Sequence, residues 1–273
     1  MDALQALVLG IVQGLTEFLP ISSTGHLRIV PAFLGWQDPG AAFAAVIQLG
    51  TMAALLLYFR LALVQIGRTW LASLRRPELR GERDARMGWY IGLGTIPIAS
   101  FGFLLRDQIE SGARDLYVIG TALIVFGLLM GAADRFPEGR PQRDIASLGR
   151  RDAILVGFAQ ALALIPGVSR SGATISAGRL VRFDRTAAAR YSFLLSIPAV
   201  VLSGLFELRK IGDGDGAGAF PTIIATVAAF VVGYASIAFL LRWLTSHSLG
   251  IFVIYRVALG TLVLVLTAAG AIS

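Results

Sequence analysis

Long apolar runs dominate the chain. They lie near 41–59, 87–105, 116–133, 187–206, 220–241 and 250–271, and each is about long enough to cross a bilayer. Two further apolar stretches are interrupted. Residues 5–35 break at Pro20 and Gly25, and again at Pro31; residues 153–181 break at Pro166. A residue before proline is disfavoured in helix, so the first arm stops at Leu19. Each arm is short for a full span. The pattern predicts an all-α polytopic membrane protein: six transmembrane helices plus two re-entrant helix–loop–helix hairpins, their polar tips buried in protein rather than facing lipid. The alternative for the first stretch is a kinked span with a polar loop outside the membrane.

Composition supports the membrane reading. Of the 273 residues, 56% are hydrophobic and only 15% are charged, against about 25% charged in a soluble domain. The net charge of +7 comes mostly from arginine. Its clustering between apolar runs reads as cytoplasmic loops, not as a nucleic-acid surface. Loop 60–86, with seven arginines, and the basic loop 135–151 are placed inside; loop 106–115 and the Gly- and Asp-rich loop 207–219 are placed outside. The last run leaves the C-terminus outside. Met1-Asp2 lacks the basic start of a signal peptide, and Glu17 interrupts the apolar run. The chain has no cysteine, which excludes disulfide and thiol chemistry.

Sliding the chain by 147 residues brings Ala6, Gly10, Gln13, Leu15, Ser22 and Gly25 onto Ala153, Gly157, Gln160, Leu162, Ser169 and Gly172. Chance in so apolar a sequence gives roughly two such matches. Three spans follow each hairpin, and three is odd, so the second copy sits inverted. One membrane domain, 1–273, is thus expected from repeat one (1–135) and repeat two (150–273). Inverted repeats bring their broken helices together near the midplane. In register, Arg170 falls opposite Ser23, and Leu164 stands where repeat one has Glu17.

The two breaks carry complementary chemistry. Around the first lie Gln13, Glu17, Ser22, Ser23, Thr24, Gly25 and His26; around the second lie Ser169, Arg170, Ser171, Gly172 and Thr174. Arg170 offers a planar fork for phosphate oxygens. Backbone N–H groups at Gly25 and Gly172, with the hydroxyls of Ser22, Thr24, Ser169, Ser171 and Thr174, suit an anion. Ser23 is the candidate nucleophile, with Ser22 or an activated water as alternatives. His26 is the candidate acid or base. Glu17 can orient His26, activate water or, with Gln13, hold a divalent cation. A structural Arg170–Glu17 salt bridge is the bland alternative. Two other polar residues lie deep in runs. Gln48 serves either an interhelical hydrogen bond or the interior, and Arg256 either pairs internally or snorkels.

These residues resemble the undecaprenyl-diphosphatase family, the bacitracin-resistance proteins. The resemblance rests on Gln13-x-x-x-Glu17 running into Ser22-Ser23-Thr24-Gly25-His26, and on Pro166-Gly-x-Ser-Arg-Ser-Gly-x-Thr174. It covers the whole length. It implies removal of the terminal phosphate of undecaprenyl diphosphate, which regenerates the lipid carrier for cell-wall synthesis. It also implies essential roles for Glu17, His26 and Arg170, with Ser23 as nucleophile and Mg2+ or Ca2+ as cofactor. Gln13 stands where other members carry glutamate, leaving one carboxylate in place of two. The expected setting is the bacterial inner membrane, with the site opening to the periplasmic face. The expected partners are the polyprenyl diphosphate and membrane lipids, with a homodimer left open. The competing reading is a transporter or flippase for a phosphorylated lipid, which needs no Ser23–His26–Glu17 set. A purely structural protein would need neither.

Overall fold

The computed structural model describes residues 1–105, 115–208 and 218–272. The described residues form eleven α-helices. The first hairpin is α1 (Ala3–Phe18) and α2 (Ser23–Leu34); α3 (Gly40–Tyr58), α4 (Arg60–Arg75), α5 (Arg83–Leu104) and α6 (Leu116–Arg135) follow. The second hairpin is α7 (Arg150–Ala161) and α8 (Arg170–Leu180), followed by α9 (Arg185–Leu208), α10 (Ala219–Trp243) and α11 (Gly250–Ala268). The chain is a multi-pass membrane protein: α5, α6, α10 and α11 are each long and apolar enough to cross a bilayer, and α3 with α4 makes a fifth candidate bent by 75°. The expected run at 187–206 lies on α9, whose Ala188, Tyr191, Phe193 and Leu195 are buried. The turns expected at 106–115 and 207–219 fall almost wholly outside the described residues.

One expectation is corrected. The stretch 60–86 is not a loop: α4 occupies Arg60–Arg75, a 3-10 turn follows over Pro77–Gly81, and α5 starts at Arg83. Its arginines alternate with apolar residues at helical spacing, so Ile66 turns inward while Arg60 and Arg68 do not. Trp70 packs on the bare face of Gly88 and edge-on to Trp89 at 5.5 Å. Counting charge hid that period.

Each hairpin begins with a capped helix, but only the first breaks directly at its proline: α7 ends at Ala161, and a 3-10 turn over Leu162–Leu164 precedes Pro166. Asp2 accepts from the Gln5 N–H at 2.8 Å and Gln5 returns a bond to the Asp2 N–H, a reciprocal N-cap for α1. Leu19 then turns extended, with ψ 142°. Phe18, just before it, meets Phe193 of α9 edge-on at 5.5 Å, which fixes the rotation of the last turn of α1.

Both hairpins press on helices from the opposite half. Helix α1 lies along α10, and α7 along α5. A Cβ at Gly10 would stand 2.3 Å from the Ala225 carbonyl oxygen, and one at Gly157 would stand 2.5 Å from that of Gly94. Only glycine allows backbones this close. Helices α6 and α11 cross similarly at Gly120 and Gly260.

At the base of the second hairpin, Asp134 ends α6 under a ring of donors. Arg179, with no exposed surface, reaches it at 3.1 Å, Arg185 at 2.7 Å, and the Leu249 N–H at 3.0 Å. Part of the arginine excess is therefore spent inside the fold, where it ties α6, α8, α9 and α11 together.

Candidate active site

The break of each hairpin is held in the same unusual backbone. Ser22 has φ 77° and Ser169 φ 73°, two of the three described non-glycine residues with positive φ. Each costs about 1–3 kcal/mol of strain, offset in part by its cap: Ser22 Oγ accepts from the Gly25 N–H at 3.3 Å, and Ser169 Oγ from the Gly172 N–H at 3.2 Å. The conformation starts α2 and α8 immediately after the turn. It aims Ser23 and Arg170, the first residue of each helix, at the same carboxylate.

That carboxylate is Glu17, whose side chain is 6% exposed. Arg170 donates through Nη2 to Oε1 from 153 residues away, and Gln48 reaches the same oxygen at 3.4 Å. On Oε2, Ser23 donates at 2.6 Å and Gln13 at 3.1 Å. Four donors thus occupy about four lone-pair positions. The Arg170–Glu17 pair reaches solvent on one side, since the Arg170 side chain is 18% exposed. In this state the arginine is matched by a carboxylate, and an incoming anion would have to take its place.

His26 stands apart from that cluster. Its Nδ1 lies 2.7 Å from the Ser22 carbonyl, which can only accept, so Nδ1 carries the proton. In the neutral ring Nε2 then accepts from the Tyr255 hydroxyl at 2.7 Å, with the two rings near-parallel at 5.6 Å.

The remaining candidates divide. Ser171 reaches across to the Leu19 carbonyl at 3.1 Å and pairs with Ser169 at 3.1 Å, so it stitches the two breaks together. Thr24 is exposed and faces Ser22 Oγ at 3.3 Å. Thr174 is fully buried; its hydroxyl is spent on the Arg170 carbonyl and on Ser192.

Three contributors were not assigned to the site from sequence. Gln48 joins Glu17, as its depth in an apolar run hinted. Tyr255 meets His26 from 229 residues away. Arg256, with no exposed surface, pairs internally: it donates to the carbonyls of Pro20 at 3.1 Å, Gly167 at 2.9 Å, and Ala122 and Leu123 at 3.3 Å. Pro20 and Gly167 are matched positions at offset 147. One guanidinium therefore clamps both breaks at equivalent carbonyls.

A model of the family described as bacitracin resistance protein BacA matches residues 6–262. The chain belongs to this family. It is 60% identical over 273 residues to the undecaprenyl-diphosphatase of Nocardioides sp., covering all of this chain and 99% of that relative. It is 54% identical over 289 residues to undecaprenyl-diphosphatase 3 of Frankia alni, covering 100% of this chain and 97% of that one. The Thermobifida fusca undecaprenyl-diphosphatase is 52% identical over 273 residues, with 100% and 93% covered. The bacitracin resistance family thus spans nearly the whole described fold, both breaks included.

For a divalent cation, the donor set is small. Among the described residues no group of three His, Cys, Asp or Glu side chains converges. Glu17 is the sole carboxylate of the cluster described above, and beside it Gln13 Oε1 is buried with no protein partner. One carboxylate and one free amide oxygen do not make a closed cage. Because Arg170, Gln48, Ser23 and Gln13 Nε2 already donate to Glu17, a cation would fit there only once Arg170 has left, with substrate phosphates completing its shell.

Proposed function

We propose that this chain is an undecaprenyl-diphosphatase, which cleaves undecaprenyl diphosphate to undecaprenyl phosphate and inorganic phosphate. The observation that carries this reading is the shared carboxylate: Glu17 takes the Ser23 hydroxyl on one oxygen and the Arg170 guanidinium on the other. A nucleophile, a proton acceptor and a phosphate clamp then lie within one hydrogen-bonded set, which a transporter does not require.

The chemistry follows from those contacts. The diphosphate draws Arg170 from Glu17, because the terminal phosphate offers a bidentate partner of higher charge. That leaves Oε1 of Glu17 with Gln48 alone while Ser23 stays on Oε2. Ser23 Oγ attacks the terminal phosphorus and its proton passes to Glu17. The bond from phosphorus to the bridging oxygen breaks, and that oxygen leaves on undecaprenyl phosphate. Water then attacks the phosphoserine, Ser23 recovers a proton from Glu17, and inorganic phosphate departs. Arg170 and backbone N–H groups at the helix starts hold the charge on the equatorial oxygens. His26, with Nδ1–H on the Ser22 carbonyl, stiffens the loop that carries Ser23. A bound Mg2+ or Ca2+, held by Glu17 and Gln13 Oε1, would neutralise diphosphate charge.

The finer architecture belongs to the same proposal: two inverted halves, 1–135 and 150–273, with six spans and two re-entrant hairpins, in the bacterial inner membrane with the site opening outward. Supporting it are the twin serine caps, the reciprocal glycine crossings and the arginine distribution.

The test is phosphate release by purified protein from undecaprenyl diphosphate, followed by rapid quenching and peptide mass analysis. Phosphate on Ser23 is expected, with turnover stopped by EDTA. Turnover with phosphate on His26 reassigns the nucleophile, and turnover undiminished by EDTA removes the cation. No release at all from wild-type protein overturns the phosphatase reading.

A further inference from the structure

An apolar groove of about 260 Å³ opens beside the first break. Leu19 and Ile21, which flank Pro20, form its inner end; Phe239 and Trp243 of α10 and Ile251 and Tyr255 of α11 form its walls. No polar surface lines it. It therefore runs from the hairpin break to the paired ends of α10 and α11, the end where Arg242 marks the cytoplasmic side by the positive-inside rule.

We infer that this groove holds the first isoprene units of the substrate's hydrocarbon tail, with Tyr255 as the partition between head and tail. The inference rests on the phosphatase reading for the identity of the lipid. Three observations favour a prenyl chain over an ordinary annular lipid. First, the groove abuts the first break: Leu19 supplies the carbonyl that Ser171 holds, and Tyr255 has its hydroxyl on His26 and its ring in the groove. Second, Phe239 and Trp243 stack on each other at 5.7 Å and give the groove a broad aromatic wall beside the break. Third, the direction is right. A head group drawn to a break deep in the fold carries its tail down with it, and the groove leads away from the break toward the opposite leaflet.

A photoreactive probe tests this on the wild-type protein, with no variant that must fold. A long-chain prenyl diphosphate with a diazirine on its second isoprene unit should label peptides from α10 and α11, and undecaprenyl diphosphate should compete the label away. Labelling elsewhere, or labelling of α10 and α11 that a phospholipid competes equally well, overturns the inference. Filling the groove is the second test. Ile251→Trp should raise KM for undecaprenyl diphosphate about tenfold or more, leave kcat unchanged, and leave hydrolysis of a diphosphate with a very short prenyl tail unaltered. Equal KM for wild type and Ile251→Trp, when both turn over, overturns the groove assignment and leaves the phosphatase reading intact. Loss of activity on both substrates also overturns it as a tail site. Wild type inert on every prenyl diphosphate removes the phosphatase reading, while the label still reports whether the lipid lies in the groove.

Discussion

The two hairpins share a backbone and differ in almost every reactive side chain. Both turn through a serine at positive φ, both cap with that serine's hydroxyl, and both present a carbonyl to Arg256. Yet the first carries Glu17, Ser23 and His26 where the second carries Leu164, Arg170 and Ala173. The difference shows where each kind of constraint sits. Geometry is held in common by main chain and glycine. Chemistry is divided, so that an acid and a base from different halves meet without either half having to carry both. The matched glutamines make the point in miniature. Gln13 gives its amide N–H to Glu17, whereas Gln160, opposite Leu164, is buried with neither end partnered by protein.

Making the first hairpin resemble the second should have the largest effect. Glu17→Leu removes the one group that contacts both Ser23 and Arg170, and kcat/KM for undecaprenyl diphosphate should fall by about 10³-fold or more. Leu164→Ala, at the matched position, should change it little. Equal losses at both positions would show that the division of labour is wrong. Arg256→Met attacks what the hairpins share. It leaves the carbonyls of Pro20 and Gly167 without their side-chain donor, and thermal unfolding in detergent should register a loss of about 2–4 kcal/mol. A variant that keeps its stability would mean that the two breaks do not need the clamp. The smallest effect is expected at the glutamines. Gln160→Leu should be neutral or stabilising by about 1 kcal/mol, since it removes a buried amide that has no protein partner; Gln13→Leu should lower turnover instead, because it strips a donor from Glu17. Matching outcomes for the two would erase the asymmetry.

Much of this was legible along the chain. Proline and glycine marked the breaks, because each limits the backbone locally, and the offset of 147 aligned Ser22 with Ser169. Polar residues in an oily sequence drew attention to Glu17, Ser23 and Arg170, and these three do converge. What sequence could not show was partner choice between distant helices. His26 turns to Tyr255 rather than to Ser23 because α11 passes beside α2, and spacing carries no trace of that. Arg256 was visible as a cation in an apolar run. Its carbonyl partners were not, because backbone oxygens look the same at every position. Helix α4 was missed for a different reason: seven arginines over 60–86 speak louder than an amphipathic period.

The crossings at Gly10 and Gly157 carry a consequence for how the protein is made. Helix α1 leaves the ribosome well before α10, yet the groove it fits lies on α10, more than two hundred residues later. Until that helix is inserted, the first hairpin has lipid or a chaperone for company and no permanent seat. A chain halted after α6 would keep its strained serine and its glutamate without the arginine meant to face them. Assembly of the Glu17–Arg170 pair is thus a late event in biosynthesis, and neither half holds it alone.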